Sequence, residues 1–192
     1  MANGKAVKTL RQVVEGEQLA ANALAVAIGK VKETDLQQLF SQLQTNHAAN
    51  AEEAGTQMKT LGGKYPIPGL HEQLKKGWEG VASAKDSKNA VKVLQKKERE
   101  ALVSYKDLLK KAGDEQTMQL LLRNMADTTQ NIVQLSDKLG QLQGKKKGGF
   151  RLLGIPNLVW LTAIGGGAYY YWQQRNKDNA PSSPSTPSNS NS

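Results

Sequence analysis

The chain has 192 residues, a formal net charge of +9 and no cysteine, which excludes disulfides, thiolate metal sites and cysteine nucleophiles. Its two histidines, His47 and His71, exclude any site that needs a histidine cluster. One domain with appendages suits this length. Six of the 26 basic residues but one of the 17 acidic residues lie after residue 144, which leaves +4 of the charge on the first 144 residues.

The first predicted helix carries a seam of Val7, Leu10, Val14, Glu17, Ala21, Leu24, Ile28 and Val31, whose steps of three and four share one helical face. Glu17 interrupts it. A carboxylate removed from water is costly unless it is paired, protonated or bound to a cation. The neighbouring line of Val13, Ala20, Leu24 and Ala27 offers the alternative that the helix turns Glu17 toward solvent.

The second helix starts near Thr34, whose spacing to Gln37 fits a capping box. Its seam reads Leu36, Phe40, Leu43, His47, Asn50, Ala54, Gln57 and Leu61, and Gly62-Gly63 before KYPIPG stops it. Residues 62–86 are a long connection, within which LHEQLKKGWEGVASAK sets Leu70, Leu74, Trp78 and Val81 on one face, as a short crossover helix would. Asp86 or Ser87 caps the third helix, with a seam of Val91, Leu94, Glu98, Ala101, Tyr105 and Leu108 ending at Gly113. Asp114 caps the fourth, with Met118, Leu121, Met125, Thr128, Ile132, Leu135, Leu139 and Leu142. There is no strand signal of any length, so the fold class is all-α, a four-helix bundle burying four stripes. Short joints between helices one and two and between three and four make antiparallel neighbours. One long crossover between helices two and three is the ferritin-like connection.

Past the bundle, residues 144–151 are a basic linker with Lys145, Lys146, Lys147 and Arg151. Residues 152–172, LLGIPNLVWLTAIGGGAYYYW, carry no charge and at about 1.5 Å per residue span roughly 30 Å, a bilayer's hydrocarbon thickness. Tyr169, Tyr170, Tyr171 and Trp172 crowd the far end like an interfacial belt. The expectation is one C-terminal transmembrane helix, a lipid-bilayer anchor; a buried core helix or hairpin is the alternative, because Pro156 and Gly165–Gly167 interrupt the run. The four basic residues before the span can meet anionic lipid headgroups, and against the two after it they place the N-terminal domain, residues 5–143, on the cytoplasmic side. Ala163 and Gly167 have the small-xxx-small spacing of self-associating membrane helices, a weak sign of homo-oligomers. Residues 173–192 are a Ser/Pro/Asn-rich tail with too little apolar surface to fold. Nucleic-acid binding is not expected: the basic residues are mostly lysine, and only four of ten aromatics precede residue 150.

A ferritin-like carboxylate site takes one Glu from each of two helices and a Glu-x-x-His from each of the other two, ligands that suit iron or manganese. Here helix one supplies Glu17, helix three Glu98, helix two His47-x-x-Asn50 and helix four Met125-x-x-Thr128. Two ligand groups are intact in type, one is altered and one is absent. Glu52, Glu53 and Glu100 read as solvated charges, and His71 has no assigned role.

With TLGGKYPIPG, the Trp78-bearing HEQLKKGWEG, and EREALVSYKDLL with Glu98 seven residues before Tyr105, the chain resembles bacterial ferritin-like domains of uncharacterised function. The resemblance covers about residues 5–142 and implies the fold and, by analogy, a carboxylate metal centre. Two readings of the polar core follow. In one, Glu17 and Glu98 persist as a polar layer satisfied by His47, Asn50, Tyr105 or Thr128, no cofactor is resident, and the chain is a non-catalytic, membrane-anchored interaction or scaffold module. In the other, Glu17, His47 and Glu98 hold iron or manganese, with ferritin-like or oxidase-like activity.

Overall fold

The seams become four long helices in the computed structural model, which describes residues 2–65, 80–81, 83–84, 86–144, 151–152 and 155–156. They are α1 (Ala2–Ile28), α2 (Thr34–Thr60), α3 (Ser87–Leu109) and α4 (Glu115–Leu142). Local chemistry sets their ends. Asp86 accepts from the Asn89 backbone N–H and Asp114 from that of Thr117, each satisfying a donor the first turn leaves open. Gly62, at φ 82°, ends α2 in a Schellman turn: the Gly63 N–H reaches the Met58 carbonyl at 2.9 Å. The start of α2 departs from the expected capping box. Glu33 holds the cap position without a side-chain capping bond, and Gln37 instead donates to the Val31 carbonyl at 2.9 Å, an acceptor that the preceding turn leaves without a helical partner.

Cross-helix bonds fix the directions. Thr9 Oγ1 donates to the Lys111 carbonyl at 2.9 Å while Tyr105 meets Glu17, so α1 and α3 run antiparallel. Gln57 donates to Thr117 at 3.0 Å and Lys138 pairs with Asp35, so α2 and α4 run antiparallel as well. Ser87 bonds Glu33 at one end and Glu98 meets His47 further along, so α2 and α3 run parallel. The chain goes up, down, down and up. The link from α2 to α3 must therefore return the length of a 27-residue helix, about 40 Å. Most of the expected crossover helix lies outside the described residues, but Val81, at its end, is buried beside Leu36, Phe40, Val91 and Leu94.

Just after α2, Tyr65 lies over Gly55, accepts from Gln18 Nε2 at 3.0 Å and carries the Lys59 ammonium 5.2 Å from its ring centroid. A Cβ at Gly55 would overlap that ring. Gly55→Ala is expected to displace Tyr65 and cost about 1–3 kcal/mol in urea unfolding; Gly16→Ala, where nothing lies within 4 Å, is the control.

The apolar core is in two parts. Leu10, Val14, Met58, Leu121 and Met125 form one cluster, and Leu24, Leu36, Phe40, Leu94 and Leu135 form the other. The polar seam residues lie between them.

At the C-terminus, Arg151–Leu152 pairs antiparallel with Ile155–Pro156. The expected transmembrane helix therefore does not start at Leu152: Pro156 cannot donate to a helical ladder and pushes Ile155 into extended backbone. Residues 157–172, the rest of that span, lie outside the described residues, as do Lys145, Lys146 and Lys147 and the 173–192 tail. Among the described residues no helix is long and apolar enough to cross a membrane.

Candidate functional site

Glu17 on α1, His47 on α2 and Glu98 on α3 meet in the middle of the bundle, with 4%, 2% and 0% of their surface exposed. Both lines of α1 are buried, Val13, Ala20, Leu24 and Ala27 as well as Leu10 and Val14, and Glu17 is not turned to solvent. His47 Nδ1 lies 2.6 Å from Glu17 Oε2, and its Nε2 lies 2.8 Å from Glu98 Oε1. An ionised carboxylate has only acceptors to offer, so each ring nitrogen donates and the ring is an imidazolium. Burial opposes that charge, but the Glu98 charge, the hydrogen bonds to Glu17 and Glu98 and the Glu17 charge outweigh it, raising the histidine from 6.5 to about 10.

The network continues through Tyr105, whose hydroxyl donates to Glu17 Oε1 and accepts from Asn124 Nδ2 at 3.2 Å. Burial first, and then the Glu17 charge, push the Tyr105 hydroxyl well above its usual range, so it stays a donor. Thr128, buried on α4, spends its hydroxyl proton on the Asn124 carbonyl at 2.8 Å. At the edge of the layer, partial desolvation and the Glu17 charge raise the carboxyl of the exposed Asp127, which Asn50 hydrogen-bonds.

Cross-helix register shows what α4 brings to this level. Tyr105 meets Asn124, and Gln95 meets Ser136. In that antiparallel register Glu98, two turns before Tyr105, lies level with Asn131, two turns after Asn124. Of the α4 residues near this level, Thr128 and Asn131 are buried polar side chains, whereas Met125 packs in the apolar cluster with Leu121. Asn124 and Asn131 are the site residues that the seam misses. Their spacing to Thr128, minus four and plus three, is the signal that marks them as one inward strip.

A dinuclear centre does not fit these residues. Where the pattern asks for Glu-x-x-His on two helices, this chain has His47-x-x-Asn50 and Thr128-x-x-Asn131, and both nitrogens of its one core histidine are bonded to carboxylates. Among the described residues no group of three or more His, Cys, Asp or Glu side chains is arranged to hold a metal ion. Glu52, Glu53 and Glu100 are exposed, as expected of solvated charges. His71 lies outside the described residues.

No family model and no curated protein matches the chain. Among solved structures it is similar to a ferritin-like, diiron-carboxylate protein from Bacillus anthracis str. Ames, with a TM-score of 0.58 and 19% identity over 72% of this chain and 98% of that one. That likeness, with the up-down-down-up course and the long return between α2 and α3, shows that this chain has the ferritin-like fold.

Proposed function

We propose that the chain is a ferritin-like bundle serving as a non-catalytic interaction or scaffold module, in which the His47 imidazolium takes the place of a metal. The carrying observation is that both His47 nitrogens are bonded to carboxylates, at 2.6 and 2.8 Å. The cation that joins the helices is then a proton on a side chain, which supplies no redox chemistry and no open coordination position. Elemental analysis of the purified full chain tests this. Iron and manganese are expected far below one per chain; near-stoichiometric metal, lost in Glu17→Gln or Glu98→Gln, sinks the reading.

The module is anchored, in this proposal, by residues 152–172, with Lys145, Lys146, Lys147 and Arg151 against anionic headgroups and the bundle on the cytoplasmic side. The support is the uncharged span and its basic flank in the sequence. Deleting residues 150–192 is expected to move the protein from the membrane pellet to the soluble fraction with its helical circular dichroism retained. Pelleting of the truncated chain with membranes would show another anchor.

A second reading is favoured by one atom. Glu98 Oε2 is fully buried without a hydrogen-bond partner, and the similar Bacillus structure is titled a diiron-carboxylate protein. Glu17, His47 and Glu98 would then bind one iron or manganese ion after His47 gives up a proton. The same elemental analysis decides between the two.

A further inference from the structure

Charge is unevenly shared among the four helices. α2 carries three acidic residues against one basic, and α4 three against two, whereas α3 carries six basic against three acidic, one of them the buried Glu98. α2 and α3 each pack against α1 and α4, so they occupy opposite corners of the bundle. The most basic helix is thus diagonal to the most acidic one. On α3 the basic residues follow a line of Lys88, Lys92, Lys96, Arg99, Lys106 and Lys110, all exposed, and the exposed Val103 completes its steps of three and four. At 3.6 residues per turn these positions fall within an arc of about 80° and run for about 33 Å. Lys96 lies 3.9 Å from Glu100 and Lys110 lies 2.7 Å from Asp107. Among the described residues no carboxylate pairs with Lys88, Lys92, Arg99 or Lys106. Like charges at this spacing cost a helix stability, so folding alone does not account for the line.

We propose that this face of α3 lies along the surface of an anionic lipid bilayer, with the bundle axis parallel to the membrane and α2 turned away from it. The surface is distinct from the anchor proposed above, on which the argument rests only for the choice of lipid among polyanions, because an anchored bundle is held beside a bilayer. Shape and chemistry favour the same occupant. A straight line of cations meets a plane along its whole length, but meets a duplex, whose backbone curves away, over only part of it. Five of the six cations are lysines, hydrated point charges without the planar fork that reads a single phosphate or base. The one aromatic residue of α3, Tyr105, is buried, so the face has no platform on which bases could stack. Val103, 60% exposed in the middle of the line, is apolar surface that a bilayer would cover. The acidic corner opposite is repelled by the same lipids, so the field that attracts α3 also orients the bundle.

The chain has no cysteine, so one fluorophore can be placed at will. The full chain labelled at Val103→Cys is added to phosphatidylcholine vesicles, and to vesicles with about a third phosphatidylserine, both carrying a trace of lipid with a nitroxide quencher on its headgroup. Quenching is expected with the anionic vesicles and not with the neutral ones, and a label at Glu52→Cys on the opposite corner is expected to stay bright in both. Raising the salt from about 0.1 M to 1 M shortens the screening length from about 10 Å to 3 Å and is expected to relieve the quenching. Replacing Lys92, Lys96, Arg99 and Lys106 together by Gln removes about fivefold in partitioning per charge, so anionic vesicles are expected to bind this face on the order of a hundredfold more weakly. These side chains are exposed, and an unchanged urea midpoint shows that the variant folds. Equal quenching with both vesicles, equal quenching at the two labels, or quenching that survives the four substitutions overturns the proposal. So does release of the protein from anionic vesicles by duplex DNA at matched phosphate concentration, which would assign the face to nucleic acid. Pelleting with the neutral vesicles reports the anchor separately: its absence sinks the anchor, whereas pelleting without lipid-dependent quenching sinks this surface alone.

Discussion

His47→Leu is expected to destabilise the protein by about 3–5 kcal/mol, read as a lowered urea midpoint at unchanged m-value. The size of the loss comes from what is left behind more than from what is removed. Leucine fills a similar volume, but Glu17 and Glu98, 4% and 0% exposed, would face each other across the core without the cation that lies 2.6 and 2.8 Å from them. Each carboxylate must then take up a proton from solvent or draw in water, and both cost stability near neutral pH. A companion variant isolates the cause. Combining His47→Leu with Glu17→Met, Glu98→Leu and Tyr105→Phe removes every charge of the bridge and the hydroxyl that donates to Glu17, and is expected to lose markedly less than His47→Leu alone. If the combined variant is as unstable as the single one, packing around His47 and not the stranded charge sets the loss.

Helical periodicity made much of this site legible before any coordinates. Steps of three and four put Glu17, His47, Glu98 and Tyr105 into seams, and each of them is buried. The long stretch between Gly62 and Asp86, set against two short joints, pointed to the long return that makes α2 and α3 parallel. Periodicity fails at two kinds of question. It tells which face of a helix is inside but not which turn meets which turn across the bundle, so the seam names Met125, which packs in the apolar cluster, and misses the buried Asn131. It also follows one stripe, whereas α4 buries two adjacent ones: Met118, Leu121, Met125, Ile132 and Leu135 on one, and Thr117, Leu120, Asn124 and Asn131 on the other. The asparagines on the second stripe look like surface residues until the neighbouring line is drawn. The Thr34-Gln37 capping box misled for a related reason. A capping motif counts local partners, and the Val31 carbonyl, outside the motif, took the glutamine amide.

The bridge also makes stability fall with alkaline pH, over a window that an ordinary helical bundle would not show. His47 rises from 6.5 to about 10 on folding, so between those values the folded state holds a proton that the unfolded chain has given up. Below pH 6.5 both states are protonated and the bridge contributes in full. Through the window the unfolding free energy declines by about 1.4 kcal/mol per pH unit, and above pH 10 the contribution is gone. Tyr105 adds to the trend at the upper end: its hydroxyl is pushed above the ordinary value, so past pH 10 the unfolded tyrosine ionises while the folded one resists. Urea midpoints measured from pH 6 to 10 are expected to drop steadily in the unaltered chain and to stay flatter in the variant that lacks the bridge. Parallel slopes in the two proteins would place the proton elsewhere and remove the imidazolium from the centre of the fold. A steady fall confined to the unaltered chain would tie it to His47, the residue on which the proposed metal-free core depends.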